Sequence, residues 1–473
     1  MAYHQGRIGW RGFFLQFIGA ALAIVSGHSV GREGPHVYLG AASGSLLGQN
    51  LALPHNAVRT LAACGAAAGI AASFNTPLAG VIFSLEVVMM EYTVASFIPV
   101  ILAAVSATAL SNAVFGSSPA FEVAVNMGSL AEMPVVLALG IAVGVLSALF
   151  NQTVESTARW SRPIPFWWRT TLAGLLVGLL ALMVPEVMGI GYDTVTAALN
   201  GELLFQALLL ILLAKVVATA ASIGLGIPGG MIGPVLFMGA MLGGMAGIAG
   251  DSLLGGVDSS PAFYALLGMG AMMGASLQAP LAALTAMMEL TYSPGIIMPG
   301  MLAIVSASLV SNQVFHKESL FISMLKANGL DYDANPAAQA MRRISVVSMM
   351  NRRFVRSRMS LTREQAQALL VGEPDWVVLD GEQGPQYLMP AVDLARHLEE
   401  GADEGASIAL QEIPAQRYRL TSIHDRATLQ EAFERLRKEG AEAVFVEQST
   451  VPGLLRIQGI LTRGRIESAY RLD

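Results

Sequence analysis

The sequence predicts an all-α polytopic membrane protein, built of inverted repeats of short tilted helices, followed by a smaller α/β domain. Three observations lead there. Charged residues make up 13% of the chain, about half the share in ordinary soluble proteins, and they are scarce only as far as about residue 335. Apolar runs such as 203–221 (LLFQALLLILLAKVVATAA) recur through that region, each near the ~20 residues that cross a bilayer. Two motifs also occur twice, in the same order and at nearly the same offset.

The apolar segments cover 11–30, 36–51, 58–73, 77–90, 95–115, 133–153, 167–190, 204–223, 231–250, 262–276, 280–290 and 296–315. Several are too short to cross alone. The 49 glycines exceed what plain spans need; in lipid, glycine lets helices approach closely and permits unwound backbone. Short, interrupted helices that meet near the midplane mark a substrate pathway rather than an anchor. The N-terminus has the layout of a signal peptide, but cleavage there would destroy HSVGREGP, the most informative stretch in the chain. The single cysteine, Cys64, excludes an internal disulfide and reads as a small buried thiol. A net charge of −6 gives no sign of a nucleic-acid partner. No nucleophile–base pair, metal-ligand cluster or phosphate loop points to an enzyme.

The repeat is specific. GREGPHVYLG (31–40) matches GMIGPVLFMG (230–239), and GAAAGIAASFNTPLAGVIFSLE (65–86) matches GMGAMMGASLQAPLAALTAMME (268–289). In the second pair Gly65, Ala72, Ser73, Pro77, Leu78, Ala79 and Glu86 fall opposite Gly268, Ala275, Ser276, Pro280, Leu281, Ala282 and Glu289. A duplicated membrane unit is the simplest source, and such halves are expected to run in opposite directions through the bilayer.

Each repeat opens a helix with Gly-x-x-Gly-Pro. Glycine frees the backbone for an unusual turn, and proline is tolerated in a helix's first turn, where its missing N–H would be unpaired anyway. The exposed amides and positive dipole end suit an anion. Two such starts facing each other would cradle a halide without a full positive charge, which would hold it too tightly to leave. Glu33, an ionisable group between membrane helices, is a functional-site candidate on that ground alone.

These stretches resemble the CLC chloride channel and transporter family. GREGP (31–35) is similar to its signature, GIPGGMIGP (226–234) to its second motif, and FNTPLAGVIFSLEV (74–87) and LQAPLAALTAMMEL (277–290) to its paired helices at a dimer interface. The resemblance covers about 15–330. It implies that Glu33 is the gating glutamate, whose carboxylate fills the outer anion site and swings away when protonated or displaced. It also implies that the amides of Arg32, Glu33 and Gly34, and of Met231, Ile232 and Gly233, face the anion. The Arg32 side chain is expected to fix structure, and His28 and His36 to pack or hydrogen-bond.

Three departures shape the expected function. Family exchangers carry a proton-relaying glutamate directly after the position of Glu86; here that position is Val87, which closes this route and points to a channel. Glu91 shares a similar helical face and reads as an exposed end residue. SLFISML (319–325) resembles the stretch where the family has an anion-binding tyrosine, so Phe321 stands at the inner anion site without its hydrogen bond. The family's first anion loop, Gly-Ser-Gly-Ile-Pro, would fall upstream of Met1, so the N-terminal helices and part of the first repeat are expected to be missing.

From Met341 the chain turns charged, placing the boundary of the membrane domain (1–335) and the tail (336–473). The tail reads as helix, strand, turn, strand, helix, twice over. This resembles a tandem CBS pair, which implies a regulatory module and a possible adenine-nucleotide site in its cleft. Of the closing Thr-x-x-Asp, the first copy keeps Asp393 and the second keeps Thr462, with Arg465 in place of the acid. The basic run Arg342–Arg358 places the tail in the cytoplasm by the positive-inside rule.

The expected function is passive chloride conduction by a homodimer in the plasma (inner) membrane, gated by Glu33, embedded in lipid and without a cofactor or metal. Proton/chloride exchange, or a non-conducting structural subunit, are the alternatives.

Overall fold

The computed structural model describes residues 6–116, 128–254, 259–330, 336–381, 384–400, 407–451 and 454–469. The chain divides into two compact units, 1–51 with 58–332, and 52–57 with 333–473.

The first unit is helical: α1 (Trp10–Val25), α2 (Glu33–Asn50), α3 (His55–Phe74), α4 (Pro77–Phe83), α5 (Val94–Phe115), α6 (Met133–Ser161), α7 (Phe166–Met183), α8 (Tyr192–Leu199), α9 (Phe205–Gly224), α10 (Ile232–Leu254), α11 (Pro261–Leu277), α12 (Pro280–Thr291), α13 (Ile297–Leu309) and α14 (Leu320–Ala327). Among the described residues seven helices are long and apolar enough to cross a membrane. Of the others, α2 has 18 residues but is less apolar, and the rest are short where the sequence punctuates them. Pro77 and Pro280 open α4 and α12 at the first turn, where proline's fixed φ suits a helix. Pro185 follows the end of α7, so the apolar segment expected to run to 190 stops at Met183 and a separate short helix, α8, follows.

At the centre lies α11, buried at every position from Ala262 to Leu277. A helix apolar all round is satisfied only inside a bundle; α6, α10 and α13 pack on it. The outer helices show the opposite face to lipid. In α7 only Ala173 and Val177 are buried, while Trp167 and Trp168 at its start are exposed, as suits an interfacial aromatic belt.

The duplication seen in the sequence is a duplication of geometry. Gly27 and Gly226, before the two Gly-x-x-Gly-Pro turns, have φ of 84° and 89°. Asn75 and Gln278, ahead of the two proline-started helices, have φ of 57° and 53°. The two repeats also exchange contacts reciprocally. Glu86 caps the start of α12, accepting from the N–H groups of Leu281 (3.2 Å) and Ala282 (2.8 Å). Glu289 caps the start of α4, accepting from Leu78 (2.9 Å) and Ala79 (2.8 Å). The end of each helix thus meets the beginning of the other, so α4 and α12 are antiparallel and the repeats run in opposite directions.

The second unit repeats a β-α-β-β-α order. Strand β1 (Phe354–Arg358), α17 (Arg363–Leu370), β3 (Trp376–Gly381), β4 (Gly384–Pro390) and α18 (Ala391–Glu399) make the first copy. The second is β6 (Tyr418–His424), α19 (Leu429–Glu439), β7 (Ala443–Val451), β8 (Leu454–Thr462) and α20 (Arg463–Ala469). Short helices α15 (Pro336–Arg343) and α16 (Val346–Met349) precede them, and β2 (Ser360–Leu361) pairs with β5 (Ile408–Ala409). In each copy the first strand pairs parallel with the second, which pairs antiparallel with the third. The opening helices share a device too: Thr362 with Gln365 and Thr428 with Glu431 form capping boxes, each satisfying two amides that the helix start leaves free. The strands join in the order β1-β3-β4-β6-β7-β8. The strand ahead of each opening helix, β1 or β6, is an addition to the sequence reading.

Candidate anion-binding site

The two Gly-x-x-Gly-Pro turns meet head to head. Gly31 and Gly230 form an antiparallel bridge, each donating its N–H to the other's carbonyl, at 2.8 and 2.7 Å. Only glycine allows this approach: a Cβ on Gly34 would lie 2.6 Å from the Cα of Gly230, inside any tolerable contact. From this junction α2 starts at Glu33 and α10 at Ile232, so both positive helix ends and their unpaired first-turn amides come together.

Glu33 is fully buried, and its carboxylate bridges elements. Oε2 accepts the N–H of Gly233 at 3.2 Å, in the first turn of α10. Oε1 accepts the hydroxyl of Tyr192. A buried carboxyl group is costly without hydrogen-bond partners, and here a helix start and a phenol supply them. The carboxylate therefore occupies a donor that an inorganic anion could use.

The remaining expected residues lie around it. Ile232 is buried and Met231 partly so; Ile232 and Gly233 supply first-turn backbone of α10, as Gly34 does for α2. The Arg32 guanidinium stacks over the Tyr192 ring, 5.3 Å from its centre. His36 pairs through Nδ1 with the Ser73 hydroxyl, and His28 lies against the α7 position Gly174. Phe321 packs edge to face on Phe83, with ring centres 6.5 Å apart, and presents no polar atom.

Beside the first turn of α10 is a cavity of about 30 Å³, lined by residues including Ile70, Phe83, Ile232 and Met273. Its wall is apolar, and a water of that size would lack the polar partners it needs. Val87 lies in a π-helical continuation of α4, Ser84–Met89, and packs on the main core. Glu91 corrects the sequence reading: expected exposed, it is 7% exposed. The helix ends at Met90, which has φ of 55°, so helical projection from Val87 no longer predicts where Glu91 points.

Two residues near Glu33 escaped the sequence reading. Tyr192 gave no signal, being far along the chain from Glu33. Lys215 did: a lone cation inside an apolar span is a functional candidate by default. It is fully buried and donates to the carbonyls of Val187 (3.0 Å) and Gly189 (3.1 Å).

In the tail, Asp393 lies in the first turn of α18 and Thr462 at the end of β8. These are equivalent strand-to-helix junctions of the two copies, with β6 and β7 standing between β4 and β8.

A membrane protein of opposed repeats, whose helix starts converge on a buried, hydrogen-bonded carboxylate, is of the class that moves small anions across a bilayer. The comparisons agree: the family model described as "Voltage gated chloride channel" matches residues 1–312. The chain belongs to this family, the CLC chloride channels and transporters, and its transported anion is chloride. It is 37% identical over 321 residues to a ClcB-like protein of Ralstonia nicotianae, covering 66% of this chain and 74% of that one. It is 32% identical over 345 residues to the H(+)/Cl(-) exchange transporter ClcA of Salmonella gallinarum, covering 70% and 72%. Among solved structures it resembles a slow cyanobacterial Cl-/H+ antiporter, with a TM-score of 0.63 and 26% identity over 68% of this chain and 77% of that one. It shares the fold of a eukaryotic CLC transporter over 97% of this chain and 80% of that one, with a TM-score of 0.61 and 21% identity.

Proposed function

We propose that the chain conducts chloride passively, gated by Glu33. The observation that carries this is the Glu33 carboxylate hydrogen-bonded to Gly233 at the start of α10. An anion taking that donor requires the carboxylate to leave, and protonation weakens its hold because a charge-assisted hydrogen bond becomes a neutral one.

Conduction is favoured over exchange by Val87, which cannot relay a proton, and by the apolar cavity beside α10. Exchange is the second reading. The buried acid Glu91 favours it, as do relatives named exchangers. A non-conducting subunit would carry no flux under any condition. The tail is read as a CBS pair that modulates the path from the cytoplasm. Adenine nucleotide is its candidate ligand, with the two copies contributing Asp393 and Thr462 separately. The protein is read as a homodimer in the inner membrane, joined through α4 and α12, where Leu78 and Leu281 are exposed.

The test is chloride efflux from liposomes, from acid to neutral pH, for the native chain and Glu33→Gln. The expected result is flux that rises on acidification in the native chain and is high throughout in the variant. Unchanged, still pH-gated flux in Glu33→Gln would remove Glu33 as the gate.

A further inference from the structure

We infer that Tyr192 is a latch that holds Glu33 in the anion seat, and that Lys215 is the positioning residue that seats the latch; this rests on the reading of Glu33 as the gate. The carboxylate has two oxygens, and the two donors come from different elements. Gly233 holds Oε2 from α10, whereas Tyr192 holds Oε1 from the first residue of α8. Departure of Glu33 must break both.

The position of Tyr192 is built with care. Gly191 precedes it with φ of 75°, and a Cβ there would lie 2.6 Å from the Phe237 ring. That close approach fixes the start of α8 against α10, the helix that carries the other donor. Lys215, from α9, ties down the segment leading into Gly191 through its bonds to Val187 and Gly189. Its ammonium sits 4.4 Å from the centre of the same Phe237 ring, an attraction between cation and π face. A fully buried lysine is costly unless its donors are satisfied, and two backbone carbonyls and a ring face serve here. Lys215 therefore acts through the loop, not on the anion. The charged and titratable groups around Glu33 are Arg32 and His36 on its own side of the junction, Tyr192 on α8, and Lys215 with Asp193 behind the loop.

Removing the phenol hydroxyl deletes one charge-assisted bond to the seated carboxylate, together with its hydrogen bond to Arg32, while leaving the ring under the guanidinium. Because the carboxylate competes with the anion for Gly233, chloride should bind more tightly. A bond of this kind corresponds to roughly tenfold or more in occupancy.

The experiment is a chloride titration by calorimetry on the full chain in detergent, for native protein, Tyr192→Phe, Glu33→Gln and the double variant, together with efflux against pH. Each single variant is expected to strengthen chloride binding roughly tenfold, and Tyr192→Phe to move half-activation of flux to higher pH. The double variant is expected to lie close to Glu33→Gln alone, since only a weaker, neutral bond to the amide oxygen is left to lose; a merely structural tyrosine would add its full effect. If Glu33→Gln strengthens binding and Tyr192→Phe does not, the latch is wrong and the gate stands. If Glu33→Gln changes nothing, the gate reading itself fails and the latch with it. Lys215→Met is expected to copy part of the Tyr192→Phe effect, and Lys215→Arg, which keeps donors for the two carbonyls, to restore it.

Discussion

The exchanged caps of α4 and α12 make a quantitative prediction about the repeat. Glu289→Ala leaves the amides of Leu78 and Ala79 without their acceptor, and Glu86→Ala does the same to Leu281 and Ala282. Losing a capping side chain costs about 0.5–2 kcal/mol, and stranding a poorly solvated donor costs about 1–3 kcal/mol. With two amides at each cap and partial access at Leu78 and Leu281, each alanine variant is expected to cost about 2–4 kcal/mol. Glutamine keeps one acceptor oxygen, so each Glu→Gln variant should lose about half as much. Thermal unfolding of the purified chain in detergent reads this as a drop of a few degrees. The sharper expectation is that both variants destabilise, Glu86→Ala somewhat more, because Glu86 also accepts the Tyr92 hydroxyl whereas Glu289, among the described residues, holds only its two amides. If Glu86→Ala lowered the midpoint and Glu289→Ala left it unmoved, the reciprocal capping would not be what holds the helices together.

Gly34→Ala puts a methyl 2.6 Å from the Cα of Gly230; it is expected to pry open the Gly31–Gly230 bridge and abolish chloride binding in a calorimetric titration. Val87→Glu restores an acid at the exchanger position, on a side chain that packs against the apolar core; chloride flux is expected to stay uncoupled, so proton uptake appearing in this variant alone would show that one residue suffices. Phe321→Tyr adds the missing phenolic donor at the inner site and is expected to strengthen chloride binding several-fold, about 1 kcal/mol for one hydrogen bond. No change would place Phe321 away from the anion path.

Much of this architecture was legible in the sequence. Hydropathy located the membrane helices because lipid enforces apolar length, and the paired glycines and prolines located the two helix starts that meet beside Glu33 because few other residues permit such turns. Glu33 was legible for the same reason: a lone acid in an apolar setting stands out. Pair geometry was not. The contact between Glu33 and Tyr192 joins distant parts of the chain, and nothing in GYDTVTAAL names its partner. Glu91 was misread as an exposed helix end: the helix does stop beside it, π-helical at Ser84–Met89 and left-handed at Met90, but the turn leaves the side chain buried. Lys215 was visible as a charge within an apolar run, but its role needed the loop that folds over it.

Passive conduction is the central claim, and simultaneous recording of chloride and proton movement in liposomes tests it most directly. With a chloride gradient imposed, the account predicts that chloride runs down its own gradient and that no protons move with it. Chloride driven uphill by an imposed pH gradient would contradict it and assign the chain to the exchangers.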